Sequence, residues 1–362
     1  MHYMGIDHHK QYSHMTIMDK EGKVVKAGKV WNVRSEVEEF LQGTYGDIEA
    51  VLEAGRSSYT MVELLEELGI SVKIAHPKQV KAIAKAKIKT DKRDSKILAH
   101  LLRSDLIPEV YRRSSENRMA QRVLRQRVFY VASMTRVKNR IRALLAHQRE
   151  GVRESVGQEK NLFGTKGMKA LKGLELPKSE KQLLESLLKT YRHLEVRIKE
   201  SNDLIEQLYK GSNEAQLIST VPGFGKFFSV LTAVEIAEVK RFDSPAQLHS
   251  YAGVIPSTHS SGEKSYHGKL IHEGNRWLRW AAVEAVWPAV KSDFDLELYY
   301  KKLARRKNTN AAKVATARRL LTIIYRILKE NRRYIPFKRS YRENNNRLPS
   351  GNLNEPLRLR SG

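Results

Sequence analysis

Three short runs at the N-terminus alternate between apolar and polar residues, and their order limits the folds open to this chain. Tyr3-Met4-Gly5-Ile6-Asp7 ends in an acid, and Tyr12-Ser13-His14-Met15-Thr16-Ile17-Met18 alternates. After Asp19-Lys20-Glu21-Gly22 turns, Lys23-Val24-Val25 returns. A period of two closed by a short turn reads as a β-meander. Residues 35–41 follow as a short amphipathic helix with Ser35 as its cap. Ile48-Glu49-Ala50-Val51-Leu52-Glu53 is a mostly apolar strand that again ends in an acid. Residues 61–68 are helical in pattern, Ser71-Val72-Lys73-Ile74-Ala75 is another strand, and Pro77 opens a helix-like stretch.

This succession resembles the mixed sheet of a ribonuclease-H-like domain. In such a sheet the first strand is central and neighbours the fourth, so Asp7 and Glu53 would sit side by side. Next comes Lys89-Thr90-Asp91-Lys92-Arg93-Asp94-Ser95-Lys96, leading into the apolar helix Ile97-Leu98-Ala99-His100-Leu101-Leu102. At a spacing of three, Asp91 and Asp94 share a helical face. One reading is a capped helix start, because Asp is common in a first turn. The other is a site for a divalent cation. Asp7, Glu53, Asp91 and Asp94 together would repel one another unless cations neutralised them. Oxygen-only ligation favours magnesium, with manganese as an alternative. Two such ions can activate a nucleophile and stabilise a leaving oxygen in phosphodiester chemistry.

Composition narrows the partners. Among 362 residues, Lys plus Arg number 66 against 40 for Asp plus Glu, a net charge of +26. Such an excess repels itself unless a polyanion is the usual partner. Nucleic acid fits best, because phosphate neutralisation by Lys and Arg dominates its binding. A membrane surface fits less well: no apolar run reaches the roughly 18 residues a spanning helix needs, and the N-terminus does not read as a signal peptide. Cysteine is absent, which excludes disulfides, thiolate zinc sites and a thiol nucleophile. These bounds describe a soluble, intracellular nucleic-acid binder.

Residues 116–148 read as one long helix, with Leu124, Val128, Val131, Met134, Val137, Ile141 and Leu144 at steps of three and four. Its other faces carry Arg118, Arg122, Arg125, Arg136 and Arg140, while Glu109 and Glu116 are the only acids from 106 to 149. A solvated face normally mixes both signs, so these arginines are candidates for nucleic-acid contact. Residues 151–177, rich in Gly and Lys, read as a loop or linker. Leu184, Leu187, Tyr191, Leu194, Ile198, Ser201, Ile205 and Leu208 then form a heptad seam. It fits packing within its own domain or a coiled coil within the chain or between subunits, with self-association slightly favoured.

A third unit begins near residue 214. Pro222-Gly223-Phe224-Gly225-Lys226, between helices, resembles a helix-hairpin-helix turn, whose backbone N–H groups take a phosphate without reading sequence. Gly223, Gly225 and Lys226 are the candidates there, and a plain turn is the alternative. Ser260-Ser261-Gly262 lies in a polar stretch, and Arg276 and Arg279 are placed for phosphate at a helix start. Residues 338–362 are polar with few apolar anchors and read as disordered without a partner.

The ordered set resembles the DEDD transposases of the insertion-sequence one-hundred-and-ten family. Asp7, Glu53, Asp91 and Asp94 match its acidic quartet. Pro222-Gly223-Phe224-Gly225, Tyr251-Ala252-Gly253-Val254-Ile255-Pro256, Ser260-Ser261-Gly262 and Gly274-Asn275-x-x-Leu278-Arg279 are similar to its C-terminal domain. One local departure is Ala54 after Glu53, where the family more often has a small hydroxyl residue before the glycine. The resemblance implies an α/β RuvC-like domain over 1–150 and a basic linker with a coiled-coil helix over 151–213. A mainly α transposase domain over 214–335 and a tail over 336–362 complete the chain.

It further implies a recombinase guided by a structured non-coding RNA that pairs with donor and target DNA. Ser261, or the adjacent Ser260, would attack the phosphodiester and become linked to it. The quartet would hold magnesium beside that serine, in a composite site between different subunits of a dimer or a dimer of dimers. The location would be cytoplasmic and nucleoid-associated. Two other readings remain open at this point: a RuvC-like nuclease that uses water, and a non-catalytic nucleic-acid-binding scaffold.

Overall fold

The computed structural model describes residues 1–336 apart from 45, 56, 85–89, 149–160, 262–263, 271–273 and 307, and over 257–270 it describes the backbone alone. The chain divides into two compact units, Met1–Arg113 and Ser114–Gly362. Lys89 and the tail from residue 337 lie outside the described residues.

The first unit is built on one five-stranded sheet, in the order β3-β2-β1-β4-β5. Its strands are β1 (His2–His8), β2 (Tyr12–Met18), β3 (Val24–Trp31), β4 (Ile48–Glu53) and β5 (Ser71–Ala75). β1 pairs antiparallel with β2 and parallel with β4, so the first strand is central and beside the fourth, as the element order predicts. Helices α1 (Arg34–Leu41), α2 (Ser58–Glu67), α3 (Pro77–Ile83) and α4 (Asp91–Arg103) connect or cover the strands. Val33, not Ser35, occupies the cap position of α1, because the helix starts at Arg34.

Alternation sorts the side chains of β1 between two faces. Met4 and Ile6 join Met15, Ile17, Val37, Leu52, Met61 and Leu65 in one buried cluster. On the other face Val51 packs with Leu98, Leu101 and Leu102 of α4. Gly5 is on that second face, and it decides how close α4 comes. A Cβ built at Gly5 would stand 2.0 Å from the Ser95 carbonyl oxygen and 2.4 Å from the Ala99 nitrogen. The missing side chain lets α4 lie directly on β1. Ser95, fully buried, adds a polar stitch from α4 to β2, 2.8 Å from Thr16 Oγ1 and 3.1 Å from His14 Nδ1.

Among its described residues the second unit is helical except for one hairpin. Its elements are α5 (Ser115–Ala146), α6 (Thr165–Lys172), α7 (Lys178–Lys210), α8 (Asn213–Ile218) and α9 (Lys226–Ile236). They continue as α10 (Pro245–Ala252), the strands β6 (Pro256–Ser261) and β7 (Lys264–Leu270), α11 (Arg276–Glu284), α12 (Val286–Ser292), α13 (Phe294–Arg306) and α14 (Thr309–Lys329). Residues 165–172, read from composition as linker, are helical because Met168 and Leu171 reach the apolar cluster between α5 and α7. The heptad seam of α7 is covered within the chain: Leu184 and Leu188 cluster with Ile141 and Leu145 of α5, and Tyr191 and Leu194 with Met134.

α14 is the central helix of this unit's main core, where Leu320, Leu321 and Ile324 are fully buried. His249 on α10 meets it, with Nε2 3.0 Å from Thr322 Oγ1. Burial, then the Arg318 charge, lowers the His249 pKa to about 4. The unfolded chain, with an ordinary value of about 6.5, binds more protons between those two pH values. Stability is therefore expected to fall as the pH drops from about 6.5 to about 4, by up to about 2 kcal/mol once partial exposure is discounted. Urea midpoints across that range should slope less in His249→Gln than in the parent; equal slopes would show that this imidazole does not carry the effect.

Candidate active site

The acids of the first unit are placed by strand register and by the α4 contact. Pairing of Gly5 with Val51 and Ile6 with Leu52 sets Asp7 and Glu53 at neighbouring strand ends. Thr90 caps α4 by accepting a hydrogen bond from the Arg93 backbone N–H at 3.3 Å. Asp91 and Asp94 lie in the first turn of this capped helix, as the capped-start reading expects, where their charges also suit the helix N-terminus. Ligand atoms of Asp7, His9 and Asp91 lie within 4.8 Å of one another. Among the described residues, Glu53 and Asp94 are outside this tight group.

His9 is the member that spacing does not announce. Its Nε2 sits 3.4 Å from Asp7 Oδ2 and 3.2 Å from Asp91 Oδ2. The atom is buried and faces both carboxylates, although neither contact has hydrogen-bond geometry. Tyr12 donates its hydroxyl to Asp91 Oδ2 at 3.2 Å, and that bond raises the tyrosine pKa. Beside it, His8 bridges Ser13 and Ser57 at 2.9 and 3.0 Å, and its pKa is lowered by burial. Asp7, His9 and Asp91 stay partly open to solvent, with side-chain exposures of 24%, 41% and 45%. Two carboxylates and an imidazole with one converging nitrogen form a mixed oxygen and nitrogen donor set, which suits a divalent cation.

In the second unit Ser260 pairs with Ser265 and Ser261 with Lys264, near the tip of the β6–β7 hairpin. Both serine side chains lie outside the described residues. The predicted phosphate contacts have structural partners. Lys226 Nζ pairs with Glu206 at 2.6 Å, and Arg279 Nη1 donates to the Gly253 carbonyl at 3.2 Å. Arg276 stacks over Trp277 at 5.2 Å. Gly223 has φ +91°, and a Cβ there would come within 2.4 Å of the Ala285 carbonyl oxygen. Its glycine is thus required by close packing on the α11–α12 junction. Gly225, the N-cap of α9, has open space around it. Along α5, Arg122, Arg125, Arg136 and Arg140 are exposed and Arg118 is half-buried.

Both units resemble known proteins. A DEDD transposase model of the IS110 type matches residues 4–148, and a model described as transposase IS116/IS110/IS902 family matches residues 215–301. The transposase for insertion sequence element IS1111A of Coxiella burnetii is 24% identical over 337 residues, 91% of this chain and 90% of that protein. A probable family 20 transposase of Pseudomonas aeruginosa is 24% identical, covering 92% of this chain and 98% of its own length. A pilin gene-inverting protein of Moraxella bovis is 32% identical over 138 residues, 36% of this chain and 41% of that protein. No helix among the described residues is long and apolar enough to cross a membrane. With both transposase models matched in order and together spanning more than half of its length, the chain belongs to the IS110 family of DNA transposases.

Proposed function

We propose that this transposase is RNA-guided, that its first unit is a RuvC-like metal-dependent domain, and that it joins DNA through a covalent phosphoserine. The observation that carries the metal reading is the convergence of Asp7, Asp91 and the Nε2 of His9, whose ligand atoms lie within 4.8 Å of one another. A cation held there would polarise a phosphate and lower the pKa of an oxygen nucleophile. Asp7 and Asp91 supply oxygen ligands, with Glu53 and Asp94 completing the family's quartet. His9 adds a nitrogen donor, which favours manganese over magnesium relative to an all-oxygen site.

The nucleophile is Ser261, with Ser260 as the adjacent alternative. Its oxygen bonds to phosphorus as the bond from phosphorus to the departing deoxyribose oxygen breaks. The serine proton goes to a base and the departing oxygen takes one up. In rejoining, a deoxyribose hydroxyl attacks the phosphoserine and releases the serine. Because the phosphoester energy is kept, no external energy source is needed. Donor and target DNA and a structured guide RNA supply the polyanion that a +26 chain calls for. A homo-oligomer brings the several strands together.

The test is to express the parent, Ser260→Ala and Ser261→Ala with a plasmid carrying the DNA that flanks the gene, and to map protein–DNA adducts by mass spectrometry. Loss of the adduct and of cleavage in Ser261→Ala, with DNA and RNA binding kept, is expected. Undiminished cleavage in both variants would show that water, not serine, attacks.

A further inference from the structure

Helix α9 is apolar along nearly its whole length, yet it buries a carboxylate. Glu235 is 1% exposed. Its Oε2 accepts from Asn275 Nδ2 at 2.8 Å and from Gln121 Nε2 at 3.1 Å, and its Oε1 from Arg125 Nη2 at 3.3 Å. Three segments distant in sequence therefore meet on one side chain: α5, α9 and the start of α11.

Asn275 is where the chain leaves the hairpin. Its Oδ1 accepts from the backbone N–H groups of Trp277 and Leu278, capping α11, and its backbone N–H donates to the Tyr251 carbonyl at 2.6 Å. The Asn275 amide also reaches the Tyr251 hydroxyl at 3.1 Å. Just before it, a Cβ at Gly274 would come within 2.3 Å of the Gly253 nitrogen. Arg279 closes on the Gly253 carbonyl. The chain entering the hairpin at residues 251–253 and the chain leaving it at 274–275 are thus pinned side by side.

Asparagine alone would cap α11, and an apolar residue in place of Glu235 would fill the space without burying an acid. The α11 N–H groups hold Oδ1 and turn Nδ2 toward Glu235, and the carboxylate does something neither can: it accepts from Asn275, Gln121 and Arg125 at once. It also ties that amide to Arg125, which is 46% exposed on the basic helix and lies 5.6 Å over the Trp277 ring.

We propose that Glu235 is a positioning residue for the transposase reaction, holding the base of the β6–β7 hairpin in register with the basic face of α5. It touches no reacting atom and acts through Asn275. This inference rests on the reading of the hairpin serine as the nucleophile.

The full-length protein, expressed with a plasmid carrying its gene's flanking DNA, supplies the assay, and covalent adducts are counted after denaturing lysis. Glu235→Gln and Asn275→Asp are each expected to cut adduct formation by about tenfold to a hundredfold, the scale of an ångström of misplacement. The pair Glu235→Gln with Asn275→Asp exchanges amide and carboxylate, restores a donor facing an acceptor once the Gln121 amide turns its oxygen toward residue 235, and should recover most of the rate. Tyr251→Phe removes only a hydroxyl and gives a folded variant in which a smaller loss is expected without a lower melting temperature. A double variant no better than the weaker single, or an unchanged rate in Tyr251→Phe, would overturn the assignment. Adducts that persist when Ser260 and Ser261 are both alanine would instead remove the serine reading. Adducts lost there but intact in Glu235→Gln would remove only the role of Glu235.

Discussion

Asp7→Asn and Asp91→Asn are each expected to lower DNA strand cleavage by on the order of a hundredfold or more while leaving nucleic-acid binding intact or tighter. Both substitutions keep size and hydrogen-bonding capacity and remove one charge. What is lost is the pair of carboxylates converging with His9. Binding should not suffer, because an acid in this basic surface repels phosphate and contributes only when a cation stands between them. Cleavage at fixed DNA, titrated with magnesium and then with manganese, checks the prediction. Wild-type cleavage in either variant would leave the cluster with no role in the reaction. Equal loss of binding would mean that the acids are structural.

Gly5→Ala is expected to match those losses although the residue reaches no substrate. An added methyl would overlap the Ser95 carbonyl by roughly an ångström, and both elements there are backbone that cannot rotate aside. Either α4 lifts from β1 or the unit unfolds. A lift of about an ångström at Ser95 carries Asp91, one turn away, off Asp7, and such misplacement can cost about a hundredfold in rate. Overpacking of this kind also costs about 1–3 kcal/mol or more of stability. Cleavage rate and urea midpoint measured together would show both effects; a Gly5→Ala protein that cleaves normally would show that the β1–α4 contact does not set the separation of the carboxylates.

The five-stranded sheet was legible because meander, helix and strand each bury one face, and a period of two or of three to four records that directly. Asp7 and Asp91 were legible as well, since an acid at a strand end and one at a helix start point out of the apolar pattern that locates them. His9 was not. A histidine two residues after an aspartate is ordinary sequence, and only the arrival of Asp91 from α4 gives it meaning. The heptad of α7 fixed which face is apolar but not what covers it, and the partner proved to be α5 of the same chain. Glu235 had a faint signal in being the lone charge in Phe227-Phe228-Ser229-Val230-Leu231-Thr232-Ala233-Val234-Glu235-Ile236. Its partners lie more than a hundred residues before it and forty after, which no local pattern contains. Arg279 and Lys226 show the reverse: a basic residue at a helix start reads as a phosphate ligand, and here each also holds the fold through Gly253 or Glu206.

The contact of Gly253 with Gly274 makes the intervening segment a closed loop whose ends are held by the helices. Closing a loop costs entropy that grows only with the logarithm of its length, about 0.6 kcal/mol for each doubling. The helical frame bears that cost whatever the loop contains. On the proposed reading of the hairpin serine, lengthening or recoding the hairpin would therefore change the contacts it offers far more than it changes whether the unit folds. The close approach of Gly274 to Gly253 fixes where the segment leaves and rejoins the helices, so its ends stay put whatever lies between them.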